Sequence, residues 1–317
     1  MASVGSAIGL GNFWKFPYLT FKHGGWFFIL AYACALFVCG LPMLILELTL
    51  GQKMQRGSAG ALRGITPRLA GAGWAASISG FFVCMVYNVL IALSLIYMVT
   101  GGAQPWSEAN YVRSDGCKTA RMMETSSAEL YFYLDTVKLF DSEACAQFQY
   151  GDQTVFSWGL YLAVLITWLI IFLCIMFGTK SASYVVMVTV PLPFICLFAL
   201  MGFFVNFGKE EGNKGAAYYL GGEDYPIGTL PNGDVQYYDP TIYRGEIIQD
   251  AFLSVMYSVG LGVGVFFAYG SYNHIKKPVI MDSVIIVSLD FLFSILAGFV
   301  GWGAIGYLKL KGNSAAN

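Results

Sequence analysis

Residues Gly5-Ser6-Ala7-Ile8-Gly9-Leu10-Gly11-Asn12-Phe13-Trp14-Lys15-Phe16-Pro17 decide how this chain folds. Their front half is apolar enough for a membrane helix, yet Gly5, Gly9 and Gly11 fall close together within it. A Gly-Leu-Gly-Asn run weakens a helix and leaves main-chain polar groups unpaired, which hydrocarbon does not tolerate. Such backbone survives at membrane depth where it is buried in protein or coordinates something. The plainer alternative is a glycine-rich packing face.

Composition frames the choice. Hydrophobic residues make up 57% of the 317 and charged residues only 12%, against roughly 25% charged in soluble domains. Mean hydropathy is +0.62. This is a membrane protein, and a net charge of −1 gives no reason to expect nucleic acid as a partner. Cys34, Cys39, Cys84, Cys174 and Cys196 lie in apolar runs and read as small buried side chains. Cys117 and Cys145 lie in a polar loop and could pair as a disulfide if that loop faces an oxidising side. No cysteine or histidine cluster suggests a metal centre. His23 and His274 read as ordinary residues at helix ends, and no cleavable signal peptide is expected.

A bilayer core needs about 20 apolar helical residues. Seven spans are expected: a short one near 1–20, then 26–51, 74–100, 156–177, 182–207, 247–272 and 283–308. Lys53, Arg56, Arg63 and Arg68 follow the second span with no acid among them, which marks that loop as cytoplasmic. Lys180, Lys276 and Lys277 fall on the same side. The acid-rich loops 102–155 and 208–246 lie opposite, as large extracellular loops, and the amino terminus is inside. A seven-helix receptor has the reverse orientation, so the charges argue against it.

The sixth span echoes the first. Ser258-Val259-Gly260-Leu261-Gly262 repeats the order small, β-branched, Gly-Leu-Gly found in Ala7-Ile8-Gly9-Leu10-Gly11. Paired Gly-interrupted spans point to a transporter of inverted repeats whose broken helices meet inside the membrane. At each break the free N–H groups of one half-helix suit a carboxylate, and the free carbonyls of the other suit a cation. Five spans separate the two starts, so residues 1–207 would hold a complete first repeat and 247–308 the start of an inverted second one, in a single transmembrane domain 1–317.

These residues carry a resemblance. Ala7 to Tyr18 with His23-Gly24-Gly25 resembles the first-helix motif of the neurotransmitter:sodium symporter family. The likeness continues through Gly40-Leu41-Pro42, Glu47 to Gln52, Ser127 to Phe132, Gly178 to Ser181 and Ser271-Tyr272-Asn273, and so covers essentially the whole chain. It implies an all-α multi-pass membrane protein with the LeuT-like inverted-repeat fold of the bacterial leucine transporter, its first and sixth helices broken. The implied function is sodium-coupled symport of an amino acid or related molecule across the plasma membrane, with no enzymatic reaction. The family has twelve spans in its usual form and this chain resembles spans one to seven, so a truncated, incomplete version is expected. A split or non-transporting subunit is the alternative.

By the same resemblance, one sodium site would draw on Ala7, Asn12, Ser258 and Asp290, and a second on the carbonyls of Gly5 and Ile8 with ligands from an eighth helix. The substrate carboxylate would meet the amides of Leu10 and Gly11 and the hydroxyl of Tyr87. Its amine would meet carbonyls of Ala7, Tyr257 and Ser258, with Val83, Gly260 and Val263 as pocket wall. Tyr87 and Tyr257 would form an outer lid. Lys15 stands at a gate position, or else reaches to the membrane interface; Tyr97 reads as packing, and Glu47 as a brace for the unwound sixth helix. Gly9 replaces the aspartate of monoamine carriers and leaves room for a substrate that brings its own carboxylate. Asp290 stands where asparagine is usual. Tyr32, Ser258, Asp290 and Ser294 would be chloride ligands, but Ser254 replaces the glutamine that completes that set. A fixed carboxylate there repels chloride, so chloride-independent transport is expected.

Overall fold

The structure, a computed structural model, describes residues 2–9, 11–23, 25–106, 128, 131–138, 156–207, 219, 226–229, 235–237 and 244–315. Helix follows helix along the chain. The first expected span is in pieces: α1 (Ala2–Ala7), then a wide π turn over Gly11–Lys15, then α2 (Phe16–Lys22). The second is α3 (Trp26–Ala35), a π turn at Leu36–Gly40 and α4 (Leu41–Met54), and α5 (Ser58–Ile65) follows it. After these come α6 (Ala70–Thr100), α7 (Trp158–Ile175), α8 (Thr179–Thr189) and α9 (Pro191–Phe207). The sixth span is again in two pieces, α10 (Arg244–Val259) and α11 (Val265–Ser271), and α12 (Val279–Ala315) is the seventh. A short antiparallel pair, β1 (Pro226–Thr229) and β2 (Val235–Tyr237), lies within the loop expected at 208–246.

Among the described residues, five stretches are long and apolar enough to cross a bilayer: Trp26–Met54, Pro67–Thr100, Trp158–Ile175, Ser181–Phe204 and Val279–Ala304. The other two expected spans are the broken ones. At the sixth, Gly260, Gly262 and Gly264 have φ of 76°, 76° and 83°, a region closed to most side chains. Three such residues in five stop α10, and Gly264 then caps α11.

The chain divides into two compact units, residues 1–80 with 182–317, and residues 81–181. The first holds the main core, where Ala7, Phe16, Phe28, Tyr32, Leu44, Val255, Val259 and Phe266 are buried together. The Phe16 ring meets Tyr32 edge-on at 4.9 Å and Phe28 at 5.7 Å. Helices α4 and α11 cross so closely that a Cβ at Gly51 would overlap the Phe267 carbonyl, and one at Gly270 the Leu48 carbonyl. Gln52 locks the same crossing, donating to the carbonyls of His274 (2.5 Å) and Lys277 (3.0 Å).

In the second unit, Ser157 caps α7 by accepting from Leu160 N–H and donates to the Thr136 carbonyl. Tyr97 lies against Trp106 with its hydroxyl 3.4 Å from Thr136 Oγ1, as a packing residue. Along α7, Leu162, Ile166, Leu169 and Phe172 are exposed. Apolar surface on that scale suits lipid, not water.

The α4–α11 crossing yields a prediction. Gly51→Ala and Gly270→Ala each lower stability by about 2–3 kcal/mol, because only main chain could give way. Gly202→Ala, where an added Cβ meets nothing within 4 Å, is neutral or slightly stabilising. Thermal unfolding of the purified protein in detergent measures all three.

Candidate functional site

The break in the first span meets the end of α10. A Cβ on Gly11 would lie 3.1 Å from the Tyr257 ring and 3.7 Å from the Ser258 Cα. Glycine is required there because a second backbone passes so near. The Lys15 ammonium stands 4.9 Å from the centroid of the same tyrosine ring, a cation–π distance. Thus Gly11, Lys15, Tyr257 and Ser258 come together, with Ser258 and Gly11 buried and the Tyr257 ring partly exposed.

Behind them lies a carboxylate. Asp290, on α12, is 0% exposed. Its Oδ1 accepts from Asn12 Nδ2 at 2.7 Å and from Ser258 Oγ at 2.7 Å, and its Oδ2 accepts from the Tyr32 hydroxyl at 3.0 Å. Ser294 Oγ donates to the Asp290 main-chain carbonyl and lies 3.0 Å from Asn12 Nδ2. The orientation of the Asn12 amide follows from its neighbours. Gly9 N–H donates to Asn12 Oδ1 at 3.3 Å, so the NH2 must face the carboxylate. Asn12, Tyr32, Ser258 and Asp290 therefore join the first, second, sixth and seventh spans, without a basic side chain in the set. Ser254 is buried on α10, one turn before Ser258.

Ala7 is fully buried at the end of α1. Gly5 and Ile8 line a cavity of ≈ 330 Å³ together with Ser6, Val190 and Tyr269. Around the second break, Gly262 N–H donates to Glu47 Oε1 at 2.7 Å. The Val263 carbonyl lies 3.0 Å from a Cβ built on Gly80, whereas one on Gly260 would meet nothing within 4 Å. Val83 is exposed and Tyr87 half-buried, both in the second unit. Leu10, Cys117 and Cys145 lie outside the described residues.

Two expectations are corrected. Cys34, Cys84 and Cys196 are exposed, not buried, and Cys39 and Cys174 are only partly covered. His23 is not an ordinary residue at a helix end: it is 1% exposed, with Nε2 2.7 Å from Asp250 Oδ2. Its partner lies 227 positions away, so nothing near it in sequence announces the contact. The feature of the sequence that points to it is Asp250, an acid one turn into the apolar sixth span.

The family model for the sodium:neurotransmitter symporter family matches residues 1–316. Among similar proteins, the sodium-dependent dopamine transporter of Caenorhabditis elegans is 29% identical over 98% of this chain and 52% of its own length. The human sodium-dependent neutral amino acid transporter SLC6A17 is 30% identical over 97% of this chain and 40% of its own. The human sodium- and chloride-dependent transporter XTRP3 is 31% identical over 96% and 48%. The chain spans about half the length of the curated relatives it matches. With the two broken spans, the buried polar junction between them and a match along essentially its whole length, this chain belongs to the sodium:neurotransmitter symporter family.

Proposed function

We propose that the protein takes part in sodium-coupled symport of an amino acid or amino-acid-like substrate across the plasma membrane, with its amino terminus in the cytoplasm, and that it needs no chloride. The observation that carries this reading is the Asp290 carboxylate, buried at the meeting point of the broken spans and held by Asn12, Ser258 and Tyr32. A buried anion with no basic partner among the described residues asks for a cation. The oxygens there, the Asp290 carboxylate and the Tyr32 and Ser258 hydroxyls, suit a hard monovalent ion that must shed its water.

In this reading Ala7, Asn12, Ser258 and Asp290 bind one sodium ion, and the carbonyls of Gly5 and Ile8 contribute to a second. The substrate carboxylate meets the amides of Leu10 and Gly11 and the Tyr87 hydroxyl, and its amine meets the carbonyls of Ala7, Tyr257 and Ser258. Val83, Gly260 and Val263 wall the pocket. Tyr257 acts as a lid held by Lys15, a role supported by the close approach of both side chains. Ala7 and Ser258 belong to the sodium and substrate sites together, so each ligand favours the binding of the other.

Chloride independence rests on charge. Tyr32 and Ser258 both donate to the Asp290 carboxylate, and Ser294 donates to the main-chain carbonyl of the same residue. A chloride at the same place would meet a like charge at short range. Relatives differ in their stated ions, and XTRP3 is named as sodium- and chloride-dependent.

Three outcomes are expected for the protein as its own cells make it. Replacing external chloride with gluconate leaves sodium-dependent uptake unchanged, and a parent protein that stops without chloride overturns the reading. Asp290→Asn removes a charged interaction of about 1.5–3 kcal/mol, which raises the sodium concentration for half-maximal uptake roughly 10- to 150-fold. Third, with Gly9 in place of an acid, the protein takes up an amino acid and not the amine left by its decarboxylation. Competition with paired amino acids and amines measures this, and preference for the amine would sink it.

A further inference from the structure

A break in a membrane helix has a mechanical cost, because the hydrogen-bond ladder no longer fixes the outer half relative to the inner half. Something else must set the direction of α2 and α10, the outer pieces of the first and sixth spans. At the end of α2, Lys22 Nζ lies 2.9 Å from Asp250 Oδ2 and His23 Nε2 lies 2.7 Å from the same oxygen. Glu246, one turn earlier on α10, has Oε2 3.9 Å from Lys22 Nζ.

The two donors are not equivalent. Lys22 is well exposed, and an ion pair of that kind contributes little by itself. His23 is buried, and its ring stacks on Phe28 at 5.7 Å with 16° between planes. An ionised carboxylate only accepts, so Nε2 carries the hydrogen. The backbone presets this arrangement: His23 N–H donates to the Leu19 carbonyl at 2.9 Å, and Gly25 N–H to the Thr20 carbonyl at 2.8 Å. Gly25, with φ of 71°, makes the turn that sends the chain into α3.

We infer that His23 and Lys22 clasp Asp250 to yoke the outer halves of the first and sixth spans, so that α2 and α10 move as one body in the transport cycle proposed above, on which the inference rests. These are positioning residues: they lie a full half-helix away from Asn12, Ser258 and Asp290 along both spans. His23 supplies the fixed, water-shielded bond. Lys22 adds a second donor from the solvent side.

The test is a distance measurement on the native protein with spin labels carried by unnatural amino acids at Tyr18 and Ile248, which are 62% and 66% exposed. The parent gives one narrow distance distribution, unchanged by sodium. Asp250→Leu and His23→Leu each give a second, longer population that shifts with sodium, and the double variant adds no more. His23→Gln, which keeps a donor near the Nε2 position, restores the single distribution, and Lys22→Ala broadens it only slightly. A single narrow peak in the folded His23→Leu and Asp250→Leu variants overturns the clasp, as does a parent whose two labels move apart on adding sodium. Sodium-dependent uptake is read separately: absence of uptake by the parent counts against the transport reading, while the distances still decide the clasp.

Discussion

The structure depends most on one buried carboxylate. Asp290 draws its hydrogen bonds from Asn12, Tyr32 and Ser258, and so gathers four spans around a single charge. An ion buried this deeply is tolerable only when every lone pair finds a donor or a counter-charge. That requirement fixes the register of α3 against α12 and holds the π turn after α1 against the end of α10. The polar junction therefore supports the fold at the place where the helices themselves are interrupted.

Two other devices hold the broken spans, and they differ in kind. At one, α11 rides on α4 through Gly51 and Gly270, with backbone against backbone, and Glu47 accepts from the amide of Gly262. At the other, the contact between α2 and α10 is polar and joins the end of α2 to Asp250. Close main-chain packing has no soft direction, because no side chain can rotate to relieve it. A hydrogen-bonded clasp can be remade after a small displacement. The α11 half of the sixth span is thus fixed to the second span more rigidly than the α10 half is fixed to the first.

Much of this was legible in the sequence, and the reasons are physical. The paired Gly-Leu-Gly runs announce the breaks because glycine is the residue that unwinding requires, and φ near 76° at Gly260 and Gly262 is what they permit. An acid within an apolar run announces a site, because Asp290 could not be there unpaired. His23 escaped because its environment is made by Phe28 and by Asp250, far along the chain. Beside Gly24 and Gly25 it looks like part of a turn, which its backbone is. The short strand pair at 226–237 escaped because a polar loop carries no strong periodicity there.

The charge of Asp290 also has an electrical consequence. Moving one elementary charge through a membrane potential changes its energy by about 2.3 kcal/mol per 100 mV. In the symport proposed above, with two sodium ions and a zwitterionic substrate, this carboxylate would make the empty site negative and lower the charge of the loaded site by one unit. A neutral asparagine in the same place would leave the empty site uncharged and the loaded one more positive. One oxygen in place of one nitrogen would thus shift part of the voltage dependence from the loaded site to the empty one.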